Sequence, residues 1–127
     1  MTALILDAGA LLAADRDDRA VMARLRAAQQ HGLELRTNAM VVAQAWRDPR
    51  GRQANLARLL NGTDVRAITQ QDGRQAGVLL STADTSDPID ATVALLAADG
   101  DRIMTSDPED INRLTQAAGI RAIIIPC

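Results

Sequence analysis

The feature that most constrains this chain is the alternation of short apolar runs with longer stretches of helical periodicity. Runs typical of strands occupy residues 3–6, 33–36, 65–68, 102–104 and 121–125. Helical patterns occupy residues 8–14, 15–30, 40–46, 53–60, 70–80 and 88–98, and a last one begins at Pro108. Strands that alternate with helices form parallel sheets, because each helix returns the chain to the start of the next strand. The sequence therefore predicts an α/β fold with a mainly parallel central sheet flanked by helices.

The size of the chain predicts one domain over residues 1–127. A composition of 47% hydrophobic and 24% charged residues is ordinary for a globular protein, and a chain of this length buries roughly two-thirds of its unfolded surface. No secretory signal pattern opens the sequence, and no apolar stretch approaches the ~20 residues of a membrane span. We therefore expect a cytoplasmic protein without a membrane partner.

The basic residues exclude several classes of function. The sequence contains no lysine, so all fourteen basic residues are arginine. P-loop nucleotide binding needs a lysine on the phosphates, and phosphatases that pair an acidic pocket with a lysine lack that partner here. The one histidine, His31, precedes Gly32 at a predicted helix end, which is typical of a capping role. Serine–histidine chemistry is therefore poorly supported.

Carboxylates stand at the junctions where strands should end and helices begin. Asp7 follows the run 3–6, and the pattern Asp-Pro-x-Asp occurs twice. The two copies supply Asp87 and Asp90, and Asp107 and Asp110. An acid before proline is also a normal helix start, so capping, at about 1 kcal/mol each, explains any one of these acids alone.

Capping does not require that all five acids belong to elements that meet at one sheet edge. In an open parallel sheet, ligands bind in the crevice at the carboxyl ends of the strands. Two carboxylates ~4 Å apart in a partly solvated site repel by ~4 kcal/mol. A bound Mg²⁺ or Mn²⁺ removes that repulsion, and both ions prefer oxygen ligands. The sequence therefore predicts a divalent metal site.

The same segments resemble a known family. The run Leu4-Ile5-Leu6-Asp7-Ala8 is similar to the opening strand and first acid of PIN-domain ribonucleases of the VapC type, the toxin half of VapBC modules. Residues 37–38 with 42–47 resemble the segment that usually carries the second acid. Asp90-Ala91 and Thr105-Ser106-Asp107 resemble the third and the fourth. The resemblance covers nearly the whole chain and implies a single PIN-like domain.

The resemblance implies a metal-dependent endoribonuclease that cleaves RNA as the toxin of a type II toxin–antitoxin pair. Asp7, Asp90 and Asp107 would hold Mg²⁺ or Mn²⁺. Asp87 can replace Asp90 as the ligand, and Asp110 is either a supporting acid or an ordinary acid of the first helical turn. The implied partners are RNA, a cognate antitoxin and a second copy of the chain.

One departure from the family pattern leaves the activity open. Gln44 stands where the family usually has glutamate, and an amide brings no charge and cannot act as a base. An alternative function is therefore a catalytically weak or inactive PIN-like module that binds RNA or a protein. A third interpretation is a metal-dependent nuclease of DNA or RNA processing outside any toxin system.

Substrate contacts are predicted within residues 37–47 and on the loop that follows. Arg47, Arg50 and Arg52 can neutralise RNA phosphates near the presumed active edge, and a solvated loop is the alternative. Thr37, Asn38 and Gln44 complete the predicted substrate-binding set. With Trp46 as the one aromatic residue, RNA selection would rest on shape and phosphate contacts. Four apolar helix residues are either partner surface or core: Met22, Leu25, Leu56 and Leu60.

Overall fold

A computed structural model describes residues 2–127, and Met1 lies outside the described part. The strands are β1 (Ala3–Leu6), β2 (Glu34–Asn38), β3 (Asp64–Arg66), β4 (Arg102–Thr105) and β5 (Ile123–Pro126). The helices are α1 (Ala8–Asp15), α2 (Arg19–Gln30), α3 (Ala39–Ala45), α4 (Ala54–Asn61), α5 (Gln70–Ala83), α6 (Pro88–Ala94) and α7 (Pro108–Ala117). Over residues 2–127 no helix combines the length and the apolar character that a membrane span requires.

The five strands form one parallel sheet in the order β3-β2-β1-β4-β5. This confirms the predicted α/β fold with a parallel central sheet. Strand β1 lies in the middle and is fully buried, as its uninterrupted apolar sequence requires. The chain first winds outward from β1 to β3 and then crosses to β4 on the other side of β1. The crevice between the carboxyl ends of β1 and β4 is therefore the place where a ligand is expected.

Helices cover the central strands and complete the core. Helix α1 packs against α3 and α4, while α5 packs against α6 and α7. The largest fully buried side chains come from the two central strands and from the helices that cross them: Leu4, Ile5, Leu6, Ile103, Met104, Leu11, Leu56, Ile111 and Leu114. The core therefore fixes the relative positions of β1, β4 and α7, which carry the acids.

Several element boundaries differ from the sequence prediction, since β2 extends to Asn38, α5 extends to Ala83 and β5 begins at Ile123. The helix expected to open at Asp15 begins at Arg19, because Asp17 adopts a left-handed φ of 58° and Asp18 caps the new helix by accepting from the Val21 N–H at 3.0 Å. Helix α6 ends at Ala94, and a turn replaces its predicted last residues. Strand β3 stops at Arg66, two residues early.

Asp101 ties the turn after α6 to the central strand. Its carboxylate is 4% exposed and accepts hydrogen bonds from the Ala3 N–H and the Ala98 N–H, each at 2.8 Å. Both contacts lie at the amino end of the sheet, opposite the crevice described above. Asp101 is therefore a structural acid that holds the start of β1 in place.

Replacing Asp101 with alanine should lower the free energy of unfolding by about 2–4 kcal/mol, because two N–H groups lose a charged acceptor. Urea denaturation measures the change. Asp99→Ala is the matched control, since Asp99 accepts one exposed N–H, from Arg121, and should cost at most about 1 kcal/mol. Equal losses in the two variants would contradict the bracing role of Asp101.

Candidate metal centre

The crevice between β1 and β4 is bounded by two aspartates that leave adjacent strands. Asp7 follows β1, and its backbone N–H donates to the Met104 carbonyl of β4 at 3.0 Å. Asp107 follows β4 and precedes the first residue of α7. Because the strands are parallel and in register, both carboxylates emerge at the same edge of the sheet.

The structure brings the other three predicted acids to the same place. Asp87 and Asp90 stand at the start of α6, and Asp110 lies in the first turn of α7. One carboxylate oxygen from each of Asp90, Asp107 and Asp110 lies within 4.8 Å of the others. Asp7 interacts with the charges of Asp87 and Asp107, and Asp90 with those of Asp7, Asp87 and Asp107. These five residues are called the acidic cluster below.

Helix capping accounts for only part of the acidic cluster. Asp87 caps α6 by accepting from the N–H groups of Ile89 and Asp90 at 2.9 and 3.2 Å. Asp7 accepts from the Ala8 N–H at 2.8 Å. The side chain of Asp107 caps no N–H group of the described chain, although it precedes proline as Asp87 does. Capping therefore leaves the Asp107 carboxylate without a structural explanation.

Asp90 is the most perturbed carboxyl group of the acidic cluster. It is 7% exposed, and its Oδ2 has no hydrogen-bond partner within residues 2–127. Burial raises its pKa from the ordinary 3.8 to about 8, with further increases from the neighbouring Asp107 carboxyl and from the charges of Asp7 and Asp87. A buried acceptor without a donor marks a position where a cation can bind.

Thr105 connects the two sides of the crevice and was missing from the predicted site residues. Its hydroxyl donates to Asp7 Oδ2 at 2.7 Å and accepts from the Asp107 N–H at 3.0 Å. Burial raises the pKa of Asp7, and the Thr105 and Ala8 bonds offset part of that increase. A hydroxyl two residues before Asp107, at the end of a buried strand, is the sequence signal that could have identified Thr105.

Thr37 and Asn38 take structural positions. Both are fully buried. The Thr37 hydroxyl donates to the Leu6 carbonyl at 2.7 Å, while Asn38 caps α3 and donates to the Thr92 hydroxyl at 3.0 Å. Their placement favours a role in positioning β1, α3 and α6 over the substrate contact that the sequence suggested.

The three arginines lie on the loop after α3, away from the acidic cluster. Gln53 at the end of that loop donates to Asp15 Oδ2 at 2.9 Å, and Asp15 lies one length of α1, about 12 Å, from Asp7. Arg47 donates to the Ala43 carbonyl at 2.7 Å, and Arg52 pairs with Asp48 at 2.8 Å. Arg50 is exposed on the same loop. The structure therefore does not place this loop beside the five acids.

Gln44 lies on α3 and is half-buried. Helix α3 contacts α6, the helix that begins with Asp87 and Asp90. The side chain offers an amide oxygen, which can accept a hydrogen bond or ligate a metal without adding charge. Any contribution of Gln44 to metal binding would therefore be weaker than that of a carboxylate.

The donor set fits a hard divalent cation. All five candidate ligands are carboxylates, the donors that Mg²⁺ and Mn²⁺ prefer. Asp90 keeps one buried oxygen without a partner and Asp107 is not used as a cap. Burial is the main cause of the raised pKa of Asp90, and the repulsion from neighbouring acids that adds to it would be relieved by a cation between these groups. The chemistry of the residues is therefore compatible with the predicted ion.

Comparison with solved structures identifies the fold. The chain is similar to a chain of the VapBC2 complex from Rickettsia felis, whose structure was determined bound to a DNA fragment from their promoter. The TM-score is 0.68 at 12% identity, over 97% of this chain and 98% of that one. No protein-family model and no curated protein matches the sequence. The likeness shows that this protein has a PIN-like fold.

The raised pKa of Asp90 predicts how stability depends on pH. Folded Asp90 keeps its proton up to a pKa of about 8, whereas the unfolded group loses it near 3.8. The free energy of unfolding should therefore fall as pH rises from about 4 to about 8 and then level off. Asp90→Asn removes this loss and should raise the Tm at pH 8 by roughly 5 °C relative to the parent protein in EDTA. If the parent protein and Asp90→Asn differ in Tm by the same amount at pH 5 and at pH 8, the protonated state of Asp90 is contradicted.

Gly9 allows α1 to approach the loop that carries Asp107. A Cβ at Gly9 would lie 2.6 Å from Ser106 Oγ and 2.7 Å from Ser106 Cβ. Both distances are shorter than a normal contact, so Gly9→Ala should push Ser106 and Asp107 away from Asp7. We expect a loss of about 1–3 kcal/mol of folding free energy, measured by urea denaturation.

The clash itself can be tested by removing its partner. Ser106→Gly in the Gly9→Ala protein should restore part of the stability, because the two closest atoms are deleted. Gly77→Ala in α5 is the matched control, since nothing lies within 4 Å of its Cβ position, and it should be neutral or stabilising. A Gly9→Ala protein as stable as the Gly77→Ala protein would refute the close approach.

Proposed function

We propose that this protein is a metal-dependent endoribonuclease, the toxin component of a type II toxin–antitoxin pair. The observation that carries the proposal is the acidic cluster at the carboxyl ends of β1 and β4, in which buried Asp90 keeps an oxygen without a partner. The similarity of fold to a chain of the VapBC2 complex supports the class of protein. The substrate would be the phosphodiester backbone of RNA.

Asp7, Asp90 and Asp107 are the proposed ligands of Mg²⁺ or Mn²⁺. When bound, the ion would supply Lewis-acid activation and charge neutralisation at the scissile phosphate. Asp110, whose carboxylate lies within 4.8 Å of those of Asp90 and Asp107, is a further candidate ligand. Exposed Asp87 would add negative charge at the rim, where it also fixes the first turn of α6. Burial of Asp7 and Asp90 strengthens their electrostatic interactions because the local dielectric is low.

Thr105 has a positioning role in this proposal. Its hydroxyl donates to Asp7 Oδ2 and accepts from the Asp107 N–H, so the Asp7 carboxylate and the backbone of Asp107 keep fixed positions before any ligand arrives. Preorganised groups of this kind contribute to catalysis because no reorganisation is needed during the reaction. Thr37 and Asn38 add rigidity beneath them through bonds to Leu6 and Thr92.

The arginine loop is proposed to contact RNA at a distance from the cleaved bond. Arg50 is exposed, while Arg47 and Arg52 already bond to the loop and to α3. Such a loop can contact successive phosphates along an RNA strand without any contact to the bases. This supports selection of RNA by shape and backbone charge.

The proposed protein partners are a cognate antitoxin and a second copy of the chain, in the cytoplasm. The acidic cluster would attract a basic segment of an antitoxin. Among the four helix residues considered above, Leu25 and Leu56 belong to the core, whereas Met22 and Leu60 are half-buried. Met22 also lines a groove between α2 and α4, which is therefore the better candidate for a contact surface.

The second candidate is a PIN-like module that binds RNA or a protein with little or no catalysis. Gln44 favours it, because neither of the two glutamates in the chain, Glu34 and Glu109, lies on α3. In this case the acidic cluster would bind a cation weakly or serve as a docking surface. The two candidates differ in RNA cleavage.

Cleavage of a mixed RNA pool by the purified protein in Mn²⁺, Mg²⁺ or EDTA tests the proposal. We expect cleavage that requires metal and falls at least about 100-fold in Asp107→Ala, because the variant loses a proposed ligand. Asp99→Ala is the control, since Asp99 is an exposed acid whose carboxylate accepts from Arg121. It should cleave as the parent protein does.

The outcomes separate the two candidates. Absence of cleavage in every metal, from a protein that melts cooperatively, would reject the nuclease proposal. If Gln44→Glu then gains metal-dependent cleavage, the amide is the cause of inactivity and the binding module is correct. Cleavage that persists in EDTA or in Asp107→Ala would reject the metal centre instead.

A further inference from the structure

A cavity distinct from the crevice of the acidic cluster lies on the sheet face beneath α2. It measures about 300 Å³ and has an apolar floor formed by half-buried Leu33 and Ile125, with the buried side chains of Leu4 and Met104 beneath them. Ala27 and Ala28 of α2 form one wall. A volume of this size is at the lower end of small-molecule sites.

Three cationic or ionisable side chains surround this apolar floor. Arg24 and Arg102 line the cavity, and neither forms an ion pair with any acid of residues 2–127. His31 also lines it. Its Nδ1 donates to the Ala27 carbonyl at 2.7 Å, so Nε2 is the ring nitrogen left to interact with a ligand. The described lining contains no carboxylate. The cavity therefore combines apolar surface with positive charge that no described acid neutralises.

The helix that borders the cavity adds no negative charge to it. Helix α2 contributes Arg24 to the lining and carries no acidic residue, although the whole chain has a net charge of -2. The acidic cluster gathers negative charge at the carboxyl edge of the sheet, whereas Arg24 and Arg102 place positive charge at the cavity. A concave site with one sign of charge concentrates ligands of the opposite sign.

We propose that this cavity binds a small organic anion with an apolar body, such as an alkyl or aryl carboxylate. The apolar part contacts Leu33 and Ile125, and the anionic group lies between Arg24 and Arg102. Arginine suits this role because its planar group donates two parallel hydrogen bonds to a carboxylate. The site is independent of the proposed nuclease activity.

The described lining argues against a nucleotide as the ligand. It contains no amide or carboxylate side chain, so the amino group of a base would find His31 Nε2 as its one side-chain acceptor. A hydrophobic tail needs no acceptor. An apolar acid therefore fits better than a nucleoside phosphate.

The adjacent edge strand argues against an added peptide strand. Ile123 and Cys127 direct their N–H groups to β4, toward the carbonyls of Asp101 and Thr105. Because backbone groups alternate along a strand, the backbone N–H of Ile124 points to the outer edge. Pro126 takes the equivalent outward position but has no N–H to donate. An outer edge with a single donor is a poor template for strand pairing.

Fluorescence titration with 8-anilinonaphthalene-1-sulfonate, an apolar aromatic anion, tests the proposal on the full chain. We expect saturable binding that octanoate displaces and that octylammonium and AMP do not. The double variant Arg24→Gln/Arg102→Gln should weaken probe binding about tenfold, the factor that corresponds to about 1.4 kcal/mol. Arg26→Gln is the matched control, because Arg26 is on the same helix and does not line the cavity.

Specific outcomes would overturn the site. Failure of octanoate to displace the probe, displacement by AMP as strong as by octanoate, or equal binding by the double variant and Arg26→Gln would each reject it. Thermal melts of every variant ensure that the probe does not report unfolding. Asp107→Ala should bind the probe as the parent protein does, so loss of the nuclease proposal leaves this test unaffected.

Discussion

The pairing of β1 with β4 is the interaction on which the rest of the structure depends. It brings Asp7 beside the loop of Asp107, fixed by the Asp7 N–H bond to Met104 and by the Thr105 hydroxyl. Carboxylates this close repel by several kcal/mol in a partly buried site, so the sheet and its core must supply the stability that holds them together. A proton on Asp90, whose pKa is raised to about 8, lowers the repulsion in the metal-free protein.

The fold could be predicted from the sequence because its signals are local and agree with one another. Apolar runs too short for helices mark the strands, and Asp-Pro pairs mark the starts of α6 and α7. The predicted end of α6 was wrong because a distant contact decides the conformation there. The last turn predicted for α6 is lost next to Asp101, whose carboxylate binds the Ala98 N–H and, across the sheet, the Ala3 N–H.

The candidate site was predictable in its acids and not in its supporting groups. Parallel strands carry the residues that follow them to one edge, so the meeting of Asp7 with Asp107 and Asp110 follows from their positions after β1 and β4. Asp87 and Asp90 follow a helix, and the packing of α6 against α7 brings them to the same edge. Whether a polar residue faces that crevice depends on packing, which placed Thr105 in it and buried Thr37 and Asn38. The position of the arginine loop is set by the bond from Gln53 to Asp15 at the far end of α1. No local sequence pattern predicts this long-range contact.

The central claim is that Asp7, Asp90 and Asp107 form a divalent metal site in a PIN-like fold, and calorimetric titration of Mn²⁺ into the metal-free protein tests it most directly. The account predicts saturable binding that is lost in Asp107→Ala and retained in Asp99→Ala, with both variants folded. Equal binding by the parent protein and Asp107→Ala, or the absence of binding by the folded parent, would contradict it.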